Sequence, residues 1–346
     1  MHINKKLVIA IVVVIIVGAC AGIFLSGIGG IKITDDNLDT VCAETADKIN
    51  SGKMSLQFSA KSEDLVQTVI ERVYDNPEMF WLDRNYSIIS IGNRYIVSFD
   101  TYYIAHDFMM SEVNDKANEM LKDLPQGASD YEKALYIHDA LCKSITYTDS
   151  GSEDEHNFYG ALVNKKCVCE GYSKAFMYLM DMAGIETYYF SGTSLNNGVS
   201  QPHSWNGAYL DGEFYYFDLT WDDVSGNAFS YNDFAITSSE ILRNHTFDEY
   251  HEVIETNSTK CNYFYRNDYV IEEYSDEVLA ALIAKQGDII DVKCASSIAF
   301  NELKSVVESP YGFNKVLSQS GNDNVQFSGF SYIVDEYTMC VRIIFN

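Results

Sequence analysis

Asp211-Gly212 is the strongest two-residue hairpin signal in the chain, and it constrains the fold more than any other feature. His203-Ser204-Trp205-Asn206-Gly207-Ala208-Tyr209-Leu210 reads as a strand, and Glu213 to Leu219 returns antiparallel to it. A two-residue turn pairs Leu210 with Glu213, which sets Trp205 opposite Asp218 and His203 opposite Thr220. His203 and Asp218 then share one face as diagonal neighbours, with backbones about 7–8 Å apart and side chains able to close the gap. A carboxylate so placed orients a histidine ring and stabilises the imidazolium formed when that ring takes a proton.

A proton donor that would become a nucleophile lies upstream. Tyr172, Ala175, Phe176, Leu179, Met180 and Ala183 recur at helical spacing until Gly184 stops the run, so Cys169 sits at a helix N-terminus. Unpaired amide donors and the positive end of the helix dipole favour thiolate there, and the local backbone N–H can serve a developing oxyanion. Cysteine at a helix start, with histidine and aspartate on one face of a register-fixed hairpin, is what nucleophilic acyl chemistry requires. His138 lies on the apolar face of another helix, with Ala134, Leu135, Leu141 and Cys142, and reads as a core histidine. Tyr147, His156 and Asn157 lie where a side-chain oxyanion donor could originate, and spacing does not choose among them.

Cys167-Val168-Cys169-Glu170-Gly171-Tyr172-Ser173-Lys174-Ala175-Phe176, Ala183-Gly184-Ile185, His203-Ser204-Trp205-Asn206 and Phe217-Asp218-Leu219-Thr220-Trp221 occur in this order. The set, within Ser129 to Asp223, resembles the bacterial transglutaminase-like superfamily. The resemblance implies an α+β fold with a papain-like core, a Cys-bearing helix on an antiparallel sheet, with Cys169 as nucleophile, His203 as base and Asp218 as orienting acid. Trp205, Trp221 and Tyr172 are expected to wall the substrate cleft. Where the family often has glycine, two residues before the nucleophile, this chain has Cys167, which reads as structural. No cofactor is implied. Cys167-Val168-Cys169 lacks a second cysteine pair or a His-Glu-x-x-His run, so no metal site is expected.

The flanks read as two small α+β units, giving an expected division into 1–31, 32–127, 128–240 and 241–346. In the first flank, Asp39 to Ile49 and Ser62 to Val73 read as helices, Ser55 to Ala60 as a strand, and Tyr86 to Ile91 with Arg94 to Tyr103 as a hairpin, before a helix from His106 to Leu124. Ser129-Asp130-Tyr131-Glu132 is a capping box that opens the middle region. Ser150 to Glu155 reads as a solvated acidic loop. In the last flank, Tyr263-Phe264-Tyr265, Tyr269 to Tyr274 and Ile289 to Cys294 suggest strands, Ser275 to Ala284 and Ile298 to Val307 helices, and Phe327 to Val334 with Tyr337 to Phe345 a closing hairpin. Asn244-His245-Thr246 and Asn257-Ser258-Thr259 match glycosylation sequons.

Composition and the first residues set the compartment and the partners. With 50 acidic against 24 basic side chains, the formal charge of −26 repels phosphate backbones, so nucleic acid is not an expected partner. Lys5 and Lys6 precede Leu7 to Leu25, a charge-free run nearly long enough to cross a hydrocarbon core. An uncleaved membrane anchor with the bulk of the chain outside is expected. Val17-Gly18-Ala19-Cys20 also fits a lipobox, and Ala19-Cys20-Ala21 a signal-peptidase site, which would give a lipoprotein or a secreted protein. Setting Cys20 aside leaves seven cysteines, an odd number that leaves at least one thiol free or paired between chains. The expected substrate is protein or peptide, with cell-wall peptide among the candidates. The expected reaction is cleavage or transfer of an acyl group from a peptide or glutamine amide through a Cys169 thioester. The competing expectation is a silent surface module that binds such partners in the same cleft.

Overall fold

The computed structural model describes residues 30–345 apart from 77–78, 102–105, 197, 224–228 and 320–328. The expected span Leu7 to Leu25 and Cys20 therefore lie outside the described residues. Among those that are described, no helix is long and apolar enough to cross a membrane. The chain divides into two compact units, residues 1–116 and 117–346.

The first unit is a four-stranded sheet with helices. Its elements are β1 (Ile31–Lys32), α1 (Leu38–Asn50), β2 (Ser55–Ser59), α2 (Glu63–Asp75), β3 (Leu82–Ile91) and β4 (Arg94–Thr101), with sheet order β1-β2-β4-β3. Helix α3 (His106–Leu121) follows. Leu65, Val66, Val69, Ile70 and Val73 form the buried stripe of α2, as their spacing requires. Gly92-Asn93 turns the β3–β4 hairpin, with Ile91 paired to Arg94.

In the second unit, the Ser129 hydroxyl caps α4 (Asp130–Ser144) by accepting from the Glu132 N–H, and the Glu132 carboxylate accepts from the Ser129 N–H at 2.8 Å. After β5 (Thr146–Tyr147) and β6 (Lys166–Cys167), α5 (Cys169–Met182) packs on a five-stranded antiparallel sheet. Its strands are β7 (Thr187–Asn196), β8 (Val199–Leu210), β9 (Glu213–Phe217), β10 (Phe234–Ile236) and β11 (His245–Phe247), in the order β10-β9-β8-β7-β11. Tyr172, Ala175, Phe176, Leu179 and Met180 bury the inner face of α5, and each large side chain contributes roughly 1.5–3 kcal/mol by leaving water. Phe190, Trp205, Phe214, Tyr216, Ile236 and Ile241 form an apolar cluster around this sheet.

The α+β fold is thus the expected one, and so is a Cys-bearing helix on an antiparallel sheet. The hairpin register holds from Leu210–Glu213 to Asn206–Phe217 and then ends. Trp205 does not pair with Asp218, nor His203 with Thr220, because Asp218 turns out of the strand to cap the single-turn helix α6 (Leu219–Asp222). Its Oδ1 accepts the Thr220 N–H at 3.1 Å and the Trp221 N–H at 3.3 Å. The acidic loop is also less solvated than its composition implies. Glu155 is buried and accepts from the Ser150 N–H at 2.8 Å and the Ser150 hydroxyl at 2.6 Å.

The C-terminal part adds α7 (Ser238–Ile241), α8 (Tyr263–Arg266), β12 (Val270–Ile271), α9 (Asp276–Gln286), β13 (Ile289–Cys294), α10 (Ser297–Val307), α11 (Pro310–Gln319), β14 (Phe330–Asp335) and β15 (Cys340–Phe345). These build a sheet ordered β12-β13-β15-β14 over a core that includes Leu279, Ile283, Phe300, Leu303, Phe313 and Ile343. Tyr263-Phe264-Tyr265 is a helical turn instead of the expected strand, since the Asn262 side chain accepts the Phe264 N–H at 3.1 Å and starts a helix. Asn244 of the first sequon is buried, which removes it as a glycosylation acceptor in the folded chain, whereas Asn257 is exposed.

Candidate active site

Cys169 is the first residue of α5, and the backbone before it is held in place from outside the helix. The Val168 N–H donates to the Glu155 carbonyl at 2.9 Å, and the Thr148 N–H donates to the Cys167 carbonyl at 3.0 Å. Gly171 permits this crossing, because a Cβ there would lie 2.4 Å from Cys167 Cβ and 2.8 Å from the Glu155 carbonyl oxygen. Cys167 is wholly buried against that glycine, as its structural reading requires. Cys169 itself is partly exposed. All seven cysteines among the described residues are free thiols.

Helix and sheet are tied by the residues around His203. The Asn206 amide donates to the Ser173 and Tyr188 carbonyls, each at 3.1 Å, so it bridges α5 and β7 from β8. His203, opposite Gly192 of β7, points its ring at Asp218, with Nε2 2.6 Å from Oδ2. Cys169 is near enough to the same ring for its thiol to help raise the imidazole. With Nε2 committed to Asp218, the nitrogen left for sulfur is Nδ1. The three residues named from the sequence therefore meet.

Electrostatics reinforce the geometry. Burial opposes a charge on His203, but the Asp218 carboxylate and then Cys169 outweigh it and push the imidazole up to about 10. Burial likewise opposes a charge on Asp218, yet His203 and His245 hold its carboxyl below the usual carboxylate range. Asp218 is 1% exposed, so it keeps its charge through these donors together with the Thr220 and Trp221 N–H groups.

The three aromatic residues expected to wall a cleft are placed differently from one another. Tyr172 and Trp205 are both 0% exposed, and the Tyr172 hydroxyl donates to the Asp223 carboxylate. Only Trp221 is partly exposed, with its ring centroid 5.7 Å from that of His203. Of the upstream donors, Asn157 is committed to structure: its Oδ1 accepts the Tyr159 and Gly160 N–H groups at 2.9 and 3.1 Å, and its Nδ2 donates to the Glu153 carbonyl. His156 has Nδ1 3.1 Å from Glu170 Oε2. The Tyr147 hydroxyl is pushed up to about 12, first by burial and then by the charge of Cys169, which places it in the field of the thiol.

His245 belongs to this site and was not anticipated. Its Nε2 lies 3.1 Å from Asp218 Oδ2, the oxygen that also receives His203. The residue stands on a three-residue strand with no alternation to mark it, and only the pairing of β11 with β7 brings it here. His203, Asp218 and His245 each offer one atom that could ligate a cation, all within 4.8 Å of one another, and in this arrangement those atoms hydrogen-bond each other.

Comparison with known proteins places the same stretch in a family. Residues 119–219 match the model of the transglutaminase-like superfamily. Kyphoscoliosis peptidase of Mus musculus is 29% identical over 39% of this chain and 24% of its own length, and that of Homo sapiens is 28% identical over the same shares. The chain thus spans about a quarter of the curated relatives it matches. Among solved structures, a TGase shares 14% identity over 49% of this chain and 52% of that one, with a TM-score of 0.30. An arylamine N-acetyltransferase of Bacillus cereus shares 14% over 34% and 52%, with a TM-score of 0.26. Residues 119–219, which hold Cys169, His203 and Asp218, thus carry a transglutaminase-like domain.

Proposed function

We propose that this chain is a cysteine acyl enzyme acting on peptide or glutamine side-chain amides. One observation carries the reading: Cys169, at a helix start, acts on a buried His203 whose Nε2 is 2.6 Å from Asp218 Oδ2. The thiol proton passes to His203, the sulfur bonds the carbonyl carbon, and the C–N bond breaks as His203 returns that proton to the leaving amine. Water or a lysine-type amine then releases the thioester, giving hydrolysis or transfer. The Cys169 backbone N–H supports the oxyanion, and Tyr147 is the side chain assigned as its second donor.

The proposal extends to place. Leu7 to Leu25 would tether the enzyme at the outer face of a membrane, and its substrates would be surface protein or cell-wall peptide. The chemistry is tested first with iodoacetamide, reading the Cys169 peptide by mass spectrometry. Alkylation at neutral pH should slow at least about tenfold in His203→Ala. Equal rates in both proteins would leave a silent binding module. A casein-type substrate with and without a primary amine then separates hydrolysis from transfer.

A further inference from the structure

His245 has no task in the acyl reaction as described, yet the fold invests heavily in its position. Gly192 lets β11 approach β7, because a Cβ at 192 would sit 2.0 Å from the Thr246 carbonyl oxygen. On the other side, α7 is closed by Thr237 and Glu240: the Glu240 N–H donates to the Thr237 hydroxyl, and the Glu240 carboxylate accepts the Thr237 N–H at 2.9 Å. Glu240 is gripped in turn by buried Lys293 from β13 at 2.7 Å. Around the His245 ring, the Trp205 and Trp221 ring centroids lie 4.7 and 5.1 Å away, and that of His203 lies 5.4 Å away.

We propose that His245 is a positioning residue for the reaction: it donates its Nε2 proton to Asp218 Oδ2, fixing that carboxylate and dividing its pull between two imidazoles. The inference rests on the reading of Cys169 and His203 given above. The proton must be on Nε2, since Asp218 is ionised and can only accept. The titratable groups facing the His245 ring are Asp218 and His203, and burial holds His245 below the usual imidazole range, so the ring is neutral. Its Nδ1 then needs a donor. Asn244 has its side-chain oxygen 2.7 Å from Nδ1 while its buried Nδ2 is without a hydrogen-bond partner. Exchanging the two ends of that amide gives Nδ1 its donor, whereas the Ile241 carbonyl at 3.2 Å can only accept and does not serve it.

The consequence falls on His203. Its ring is faced by Asp218, Cys169 and His245, and behind Asp218 stands Asp233, whose backbone carbonyl accepts the Asp218 N–H at 3.1 Å. Burial, and then the charges of Asp222, Asp335 and Asp218, raise the Asp233 carboxyl well above its usual range, so it adds no charge. A carboxylate oxygen shared between two donors is a weaker acceptor for each. Without His245, Asp218 would hold the His203 imidazolium more tightly, and the proton would pass less readily to the leaving amine.

Two variants of similar size and polarity isolate the Nε2 donor. His245→Gln reaches Asp218 with an amide N–H, whereas His245→Asn ends near the Nδ1 position and stops short. Alkylation of Cys169 by iodoacetamide, followed against pH on the full chain, needs no substrate and reports His203 in its upper step, near pH 10. In His245→Asn that step should rise by about half a unit or more, while His245→Gln keeps the wild-type profile. Superimposable profiles in all three proteins, with only a melting temperature lowered, would make His245 structural and overturn the proposal. A wild-type profile with no step removed by His203→Ala defeats the acyl-enzyme reading itself, which distinguishes the two failures.

Discussion

The second unit contains two groupings of cysteine, histidine and aspartate, and they differ in how the histidine is used. At the candidate active site, Asp218 takes one ring nitrogen of His203 and leaves the other to Cys169. In the interior, His138 offers the same nitrogen to both partners: Nε2 lies 3.2 Å from Asp222 Oδ2 and 3.8 Å from Cys142 Sγ, while Nδ1 lies 3.2 Å from Asp139 Oδ1. A ring cannot relay a proton between sulfur and a substrate when the carboxylate occupies the nitrogen that faces the sulfur. The interior group is also sealed, with His138 and Asp222 each 0% exposed, and burial raises the Cys142 thiol above its usual range. Residue type and proximity are therefore the same in both places, and the assignment of ring nitrogens and access to solvent separate chemistry from packing.

The largest expected contrast is in turnover. Cys169→Ala should lower it about 10³-fold or more, whereas Cys142→Ala should leave it within about threefold. Comparable losses in the two variants would end the distinction. Stability reverses the ranking. His138→Ala leaves Asp222 buried without its imidazole and should cost about 3–5 kcal/mol in urea denaturation. His203→Ala should cost less, because Asp218 keeps His245 and the Thr220 and Trp221 N–H groups. Gly171→Ala sharpens the comparison from the backbone side. Its Cβ would press on Cys167 and the Glu155 carbonyl, so a loss of about 1–3 kcal/mol is expected with Cys169 alkylation slowed as well.

The smallest effect is spread over pH. His203 is raised above its unfolded value of about 6.5, so its stabilisation is complete below that pH. It is lost as pH climbs toward the folded value near 10. His138, raised by Cys142, Asp139 and Asp222 against its burial, acts in the same direction. Denaturation midpoints should fall between about pH 6.5 and 10, with a shallower slope in His203→Gln. An unchanged slope would mean that His203 is not protonated in the folded chain at neutral pH.

Much of the site was legible because its parts are local. A glycine turn carried the hairpin register as far as Asn206–Phe217, and a helical repeat ending at Gly184 put Cys169 at a helix start. The apolar face of α4 marked His138 as a core residue, which its burial bears out. The register expectation ended at Asp218 because a side-chain cap on two backbone N–H groups competes with the next strand pair, and the cap won. Trp205 and Tyr172 looked like cleft walls from their nearness in sequence to the site, but period-two and helical spacing turn both into the core. His245 was read within a sequon. Its contact with Asp218 spans 27 residues and three intervening elements, and no short-range pattern encodes such a pairing.

Asp218 stands between β9 and α6, caps α6 and receives both histidines on one oxygen. Asn at this position would keep the caps and lose the charge, and Glu would carry the charge a methylene too far for the caps. Aspartate alone thus supplies cap and charge from one side chain, so shape can outlast reactivity at this corner only through Asn.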